Sequence, residues 1–242
     1  EMGNYDEAME IFNPTLKQGE ELGDKSGMAY ILNSIGNVYF NKIDFDAALG
    51  YYSRSLALQE ALGDKYCMGK SLNNLGNVHY EKGDYEKSLD YNKRSLTIQK
   101  EIGDKRGVAQ SLGNIGYVYV GKCDLDTALD YYRKSLAIEE ELGDKFGMGR
   151  RLSNIGVAYY QQGDYEKSLY YNKRALSISE DFDDKLAIGH DQINIGNVYN
   201  DKGDLDTALD YYGKSLTIQK EIGDKGGIGR NLINIGIAYL QQ

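Results

Sequence analysis

The sequence predicts an all-α fold, a solenoid of about twelve helices stacked as antiparallel pairs, and three observations predict it. The tripeptide Gly-Asp-Lys recurs at 23–25, 63–65, 103–105, 143–145 and 223–225, with Asp-Asp-Lys at 183–185, so the spacing is 40 residues throughout. A second marker, Ile/Leu-Gly, keeps the same register at Gly36, Gly76, Gly116, Gly156, Gly196 and Gly236. Between the markers apolar residues recur every three or four positions, and the 242 residues contain one proline. Self-similarity at a fixed period marks repeat architectures. The three-to-four spacing puts side chains on one helical face, and scarce proline leaves helices uninterrupted.

Each unit divides into two helical patterns. The first runs from about 26 to 42, with Met28, Leu32, Ile35 and Tyr39 on one face. The second runs from about 45 to 62, with Phe45, Ala48, Leu49, Tyr52, Leu56 and Leu62 on its buried side. Between them lies a short break, Ile43-Asp44, then Gly83-Asp84, Cys123-Asp124, Gly163-Asp164 and Gly203-Asp204. Glycine there is expected to close the first helix in a left-handed residue, and aspartate to cap the second by accepting from its free amides. The Gly-Asp-Lys turn is expected to do the same between units. Gly36 and its equivalents fall inside the first helix, where glycine costs about 1 kcal/mol against alanine. Close approach of the paired helix would offset that cost, with Ala48, Ser88, Ala128, Ser168 and Ala208 as the small partners.

In chain order the reading is one domain, 1–242: a partial unit 1–22, full units 23–62, 63–102, 103–142, 143–182 and 183–222, and a partial unit 223–242. Residues 3–13 match a second helix without its first, and 226–242 match a first helix without its second. Neither end carries the polar cap that a finished solenoid needs. The expectation is therefore a piece of a longer protein whose uncapped ends could self-associate. Pro14 aligns with Arg54 in mid-helix, which predicts a kink or an early end. An 80-residue super-period, YEKSLDYNKRSL at 85–96 against YEKSLYYNKRAL at 165–176, points to copying of units in pairs.

With these residues in view the chain resembles the tetratricopeptide repeat (TPR). The pattern is carried by Leu72, Leu75, Gly76, His79, Ser88, Asn92 and Ser95, and again by Leu112, Ile115, Gly116, Tyr119, Ala128, Tyr132 and Ser135. Two features depart from the family: its period is 34 residues, and its proline near the end of the second helix is absent. The 40-residue form is similar to Pins/LGN-type adaptors and to TPR arrays of bacterial signalling proteins. The resemblance implies a right-handed superhelix whose first helices line a concave groove that holds a peptide or partner segment. The family's carboxylate clamp uses a lysine in the slot held here by Asn33, Asn73 and Gly113, so binding of chaperone tails does not carry over.

The copies also serve as their own comparison. Positions they share are needed by the fold, and positions where they differ are free of that demand. The first-helix residues expected to face the groove differ widely, and one reading is a surface tuned for a protein or peptide ligand. Asn33, Asn37, Asn73, Asn77 and Asn197 could grip a peptide backbone, because an amide both donates and accepts. Tyr80, Tyr117 and Tyr160 offer large contact area at low entropy cost. Lys70, Arg150, His190 and Arg230 form a basic row in an acidic protein, which would favour an acidic ligand. The other reading is drift on an unused surface. Asn74, Asn114, Asn154, Asn194 and Asn234 recur in every later unit, and such uniformity suggests a structural hydrogen bond to the neighbouring helix.

Charge and composition exclude other classes. The net charge of −9 argues against general nucleic-acid binding, which needs a basic footprint. No apolar run approaches a membrane span. Cys67 and Cys123 occupy non-equivalent positions and read as free thiols in a reducing, cytoplasmic compartment. His79 stands in a tyrosine slot and reads as packing, while His190 has no partner at metal-ligand spacing. The Gly-Asp-Lys turns lack the phosphate-loop pattern. The expectation is a binding scaffold for signalling partners with no cofactor, metal or catalysis. The alternative is a regulatory or oligomerisation arm of a larger signalling enzyme.

Overall fold

The structure, a computed structural model, describes residues 5–241; Gly3 and Asn4 of the first expected helix, and Gln242 of the last, lie outside them. Among the described residues there are twelve α-helices and no strand. They are α1 (Tyr5–Leu22), α2 (Lys25–Asn41), α3 (Phe45–Leu62), α4 (Lys65–Glu81), α5 (Tyr85–Glu101) and α6 (Lys105–Gly121), then α7 (Leu125–Leu142), α8 (Lys145–Gln161), α9 (Tyr165–Asp181), α10 (Lys185–Asp201), α11 (Leu205–Ile222) and α12 (Lys225–Gln241). Two compact units result, one of α1–α6 and one of α7–α12. Each begins on a second helix and ends on a first helix, with two complete hairpins between: α2/α3 and α4/α5, or α8/α9 and α10/α11.

The turns form as their residues dictate. Asp24, Asp44, Asp64 and every later cap accept from the backbone amide three residues on, as Asp64 does from Cys67 N at 3.0 Å. The Cys67 amide, more than any other group, holds the Asp64 carboxyl below its ordinary range. Turn glycines such as Gly63 and Gly83 take φ of 68° and 76°. Three equivalent positions take the same backbone without glycine: Ile43 (φ 63°), Cys123 (φ 59°) and Asp183 (φ 51°). A β-branched side chain in that region is the most strained of these. Ile43 is also 73% exposed, so its side chain contributes little packing in return. Ile43→Gly is expected to raise stability by about 1 kcal/mol, read as a higher melting temperature; an unchanged or lower one would show the turn to be unstrained.

The core is a chain of inter-helix clusters. In the first unit Ala48, Tyr52, Leu56, Leu72, Leu75 and Val78 are buried together, with Tyr39, Phe45, Leu49 and Met68 packed around them. Each such side chain removed from water contributes about 1.5–3 kcal/mol before entropy. His79 takes the tyrosine slot as expected. It stacks on Tyr91 at 5.3 Å, as Tyr39 does on Tyr51 (5.2 Å) and Tyr199 on Tyr211 (5.9 Å). Desolvation, ahead of all other influences, holds its pKa below the usual value.

Two expectations need correction. Pro14 does not end its helix: α1 runs unbroken from Tyr5 to Leu22. The proline is exposed, so water can meet the carbonyl it leaves without a donor. The second correction concerns the interior glycines. Ala48 and Ser88 are fully buried, but the atoms crowding the glycines belong to larger side chains. A Cβ on Gly36 would lie 2.5 Å from Tyr52 Cε1, on Gly76 2.6 Å from Asn92 Nδ2, and on Gly156 2.3 Å from Asn172 Oδ1. At these three positions the second helix lays one flat side chain across the glycine, and that contact excludes a methyl group.

Candidate partner-binding surface

Within each unit the first helices lie beside one another, α4 against α6 in one, and α10 against α8 and α12 in the other. Uniform asparagines help to join them. Asn74 Nδ2 donates to Asn33 Oδ1 (2.9 Å), Asn194 Nδ2 to Ser153 Oγ (3.3 Å) and Asn234 Nδ2 to Asn197 Oδ1 (3.1 Å). Asn114 instead reaches Asn92 Oδ1 on α5 at 3.4 Å.

This network reaches several of the residues expected to meet a ligand. Asn33 accepts from Asn74 and donates to Ser71 Oγ at 2.8 Å. Asn37 accepts from the Tyr52 hydroxyl (2.7 Å) and Asn197 from that of Tyr212 (2.8 Å), leaving their amide N–H groups for other partners. Asn73 is only 1% exposed and lies 3.0 Å from Ser111 Oγ. It therefore sits beneath the surface a ligand could touch, with the Ser111 hydroxyl of the next repeat against it. Asn77 is half-buried. Tyr80 and Tyr117 pack ring against ring at 4.4 Å, and Tyr117 is 46% exposed. Burial, then the Tyr117 contact, pushes the Tyr80 hydroxyl pKa up. Tyr160 donates to Asp201 Oδ2 at 2.7 Å.

The basic residues are exposed but divided between the units. Lys70 stands on α4 with its ammonium 4.2 Å from the Tyr66 ring. Arg150, His190 and Arg230 stand on α8, α10 and α12 of the other unit, and Arg150 lies over the Phe146 ring at 6.0 Å. Partial desolvation, then the charge of Arg230, keeps the His190 pKa below its usual value, so the imidazole is neutral at pH 7.

A second set of polar residues escaped the sequence reading. Where the end of a second helix meets the following first helix, buried groups twelve residues apart are paired. Ser111 Oγ lies 2.6 Å from Gln99 Oε1, Arg151 Nη2 3.4 Å from Glu139 Oε1, Ser179 Oγ 2.9 Å from Asp191 Oδ2, and Asn231 Nδ2 3.3 Å from Gln219 Oε1. The signal was present in the sequence, since these two positions vary together from copy to copy.

At one of these junctions the long amide is replaced by Ser179, and a cavity of about 270 Å³ opens between α8 and α10 over the end of α9. Phe146, Ile178, Phe182 and Leu186 form apolar walls, with Ser153, Ser179 and Asp191 among the polar lining. Arg150 and His190 line the same cavity, so the fold brings these two expected site residues together. Asp191 is 3% exposed, and burial pushes its pKa up to about 6, although the Ser153 and Ser179 hydroxyls pull it the other way. The folded carboxyl thus holds its proton more tightly than the unfolded one. The stability this contributes is complete below pH ~4 and is lost as pH rises through about 6. Asp191→Asn is expected to remove that loss and raise stability at pH 7 by about 2 kcal/mol. Urea unfolding at pH 4 and pH 7 checks it; an equal pH slope in both proteins would refute it.

No helix among the described residues is long and apolar enough to cross a membrane, and no three His, Cys, Asp or Glu side chains are grouped to hold a metal ion. Cys67 and Cys123 are free thiols.

The sequence profile described as tetratricopeptide repeat matches residues 27–101, 67–141, 107–181 and 192–242. No curated protein matches the chain. Solved structures do. BtubC (BKLC) from P. vanneervenii superposes with a TM-score of 0.77 at 18% identity, over 91% of this chain and 92% of that one. Aspartyl phosphate phosphatase F from Bacillus subtilis gives 0.79 at 17% identity, over 92% of this chain and 59% of that one. The Rap conjugation gene regulator of plasmid pLS20, solved with the Phr* peptide, gives 0.77 at 17% identity, over 89% of this chain and 60% of that one. At such identities the likeness is one of fold.

Proposed function

The chain belongs to the tetratricopeptide repeat family, and from that premise we propose that its first-helix faces bind a segment of a partner protein or peptide, without catalysis. One observation carries this reading. The residues shared by the copies are consumed in caps, core and inter-helix hydrogen bonds, whereas several of those that differ stand exposed on α4, α6, α8, α10 and α12. Tyr117, Lys70, Arg150 and Arg230 are exposed large side chains of this kind. Exposed aromatic and arginine side chains are the groups that most often anchor an interface. The solved complex of the pLS20 regulator with a peptide supports the choice of ligand class. Arg150 and Arg230 on one unit favour acidic residues on the bound segment, and the net charge of −9 disfavours nucleic acid. The 40-residue register and the two free thiols fit a Pins/LGN-like adaptor in a reducing, cytoplasmic setting.

A second reading, a regulatory or oligomerisation arm of a larger signalling enzyme, draws on the partial cover of the phosphatase (59%) and the conjugation regulator (60%), whereas BtubC is covered over 92% of its length.

Affinity capture from a lysate, with the wild type beside an Asn77→Ala/Tyr80→Ala/Arg150→Ala variant, tests the first reading. Loss of captured partners supports it. Retention of every partner by a variant with the wild-type circular dichroism spectrum refutes it, and light scattering on the same samples reports self-association through the end helices.

A further inference from the structure

The cavity between α8 and α10 departs from the repeat in three places at once. Its equivalents at the other junctions are filled by a long side chain at the position of Ser179: Gln59, Gln99, Glu139 and Gln219 are all buried. At α1/α2, where that position is Gly19, Met28 comes against it, with its Cγ 2.9 Å from where a Cβ would lie. Here the space is left open. The facing position, which holds Ile31, Ser71, Ser111, Arg151 and Asn231 in other copies, holds the acid Asp191. The turn that closes the cavity is also altered, with Phe182-Asp183 in place of Leu/Ile-Gly, and Phe182 forms part of the wall. The fold needs none of these changes, since five other units do without them.

We propose that this cavity is a pocket for one lysine or arginine side chain of the bound segment. The proposal rests on the reading of the first-helix faces as a ligand surface. The volume of about 270 Å³ suits a single large side chain rather than a cofactor. Phe146, Ile178 and Leu186 supply apolar walls for a methylene stem, and a basic side chain buries such a stem while its head seeks a charge. The Asp191 carboxylate, with one oxygen held by Ser179, accepts that head in a charge-assisted hydrogen bond. Asp184, which lines the cavity and caps α10 through the Ala187 amide, adds a second negative charge. Arg150 and neutral His190 at the same cavity leave the interior acidic, and Arg150 is placed to meet a carboxylate beside the inserted residue. An ammonium or guanidinium entering the site also favours the ionised form of Asp191 that burial opposes.

The test uses a phage library of random dodecapeptides selected on the whole chain, then titration calorimetry with the best peptide. Two variants keep the fold: Asp191→Asn preserves shape, and Ser179→Gln installs the side chain carried by the other junctions. The wild type is expected to enrich lysine or arginine at one peptide position. Both variants, and the peptide with that residue changed to methionine, are expected to lose at least about 30-fold in affinity. If the selected peptides show no basic position, or if both variants bind the best peptide as tightly as the wild type, the pocket is refuted while the ligand surface stands. If no peptide is enriched at all, the surface reading falls and the pocket with it.

Discussion

Arg151→Ala is expected to destabilise the fold by about 3–5 kcal/mol. Arg151 and Glu139 are 4% and 3% exposed, with Nη2 and Oε1 3.4 Å apart. The guanidinium also lies 5.7 Å from the Tyr132 ring. Burial pushes the Glu139 carboxyl up and Arg151 pulls it down, so removing that cation leaves a buried acid supported by the Ser135 hydroxyl and the weaker influence of the Arg150 charge. The carboxyl then rises further and takes up a proton, and the penalty shrinks as pH falls through that raised value. The neighbouring junction supplies the control, because Gln99 and Ser111 occupy the same two positions without charge. The double change Glu139→Gln/Arg151→Ser copies that pair and is expected to recover most of the loss. Denaturant midpoints at pH 5 and pH 8 read both effects. A single variant within about 1 kcal/mol of wild type would mean that the pair is solvated and contributes little.

The second large effect is a difference of sign between two glycines at the same repeat position. Gly196→Ala is expected to cost about 2–3 kcal/mol, whereas Gly236→Ala is expected to stabilise by up to about 1 kcal/mol. A Cβ on Gly196 would lie 2.6 Å from Tyr212 Cε1 and 2.7 Å from its Cδ1. That ring is 2% exposed and its hydroxyl is tied to Asn197, so it cannot swing aside. Around Gly236 on α12 nothing lies within 4 Å of the added carbon, and only the helix propensity of alanine is felt. Melting temperatures of the two variants decide the matter; equal shifts of either sign would show that the ring contact does not govern this position.

The two effects mark how far the repeat could be read from one chain. Helix ends were legible to within a residue or two, because Asp44, Asp64 and Gly83 act through bonds to their own immediate neighbours. The need for glycine at Gly36 and Gly196 was legible too, but its cause was not. Spacing alone points to the nearest small residues, and the side chains that arrive, Tyr52 and Tyr212, sit sixteen residues further along. Asn73 looked like its neighbours on the groove side and proved buried, with the Ser111 hydroxyl of the next repeat against it. The Glu139–Arg151 pair and the Asp191 cavity went unread for a related reason: their positions change between copies, but only packing decides that they meet across a junction.

The amino-acid order by itself therefore determined the helices, their caps and turns, the 40-residue register and the apolar stripe that must be covered. All of these depend on interactions within a few residues of chain or on a periodicity of one helix. Tertiary structure decided which side chain covers each glycine, which asparagines are spent inside the molecule, and where a missing amide leaves an acid-lined cavity. Those outcomes are set by packing between helices, where a single side chain too short to fill its place changes what its neighbours can touch.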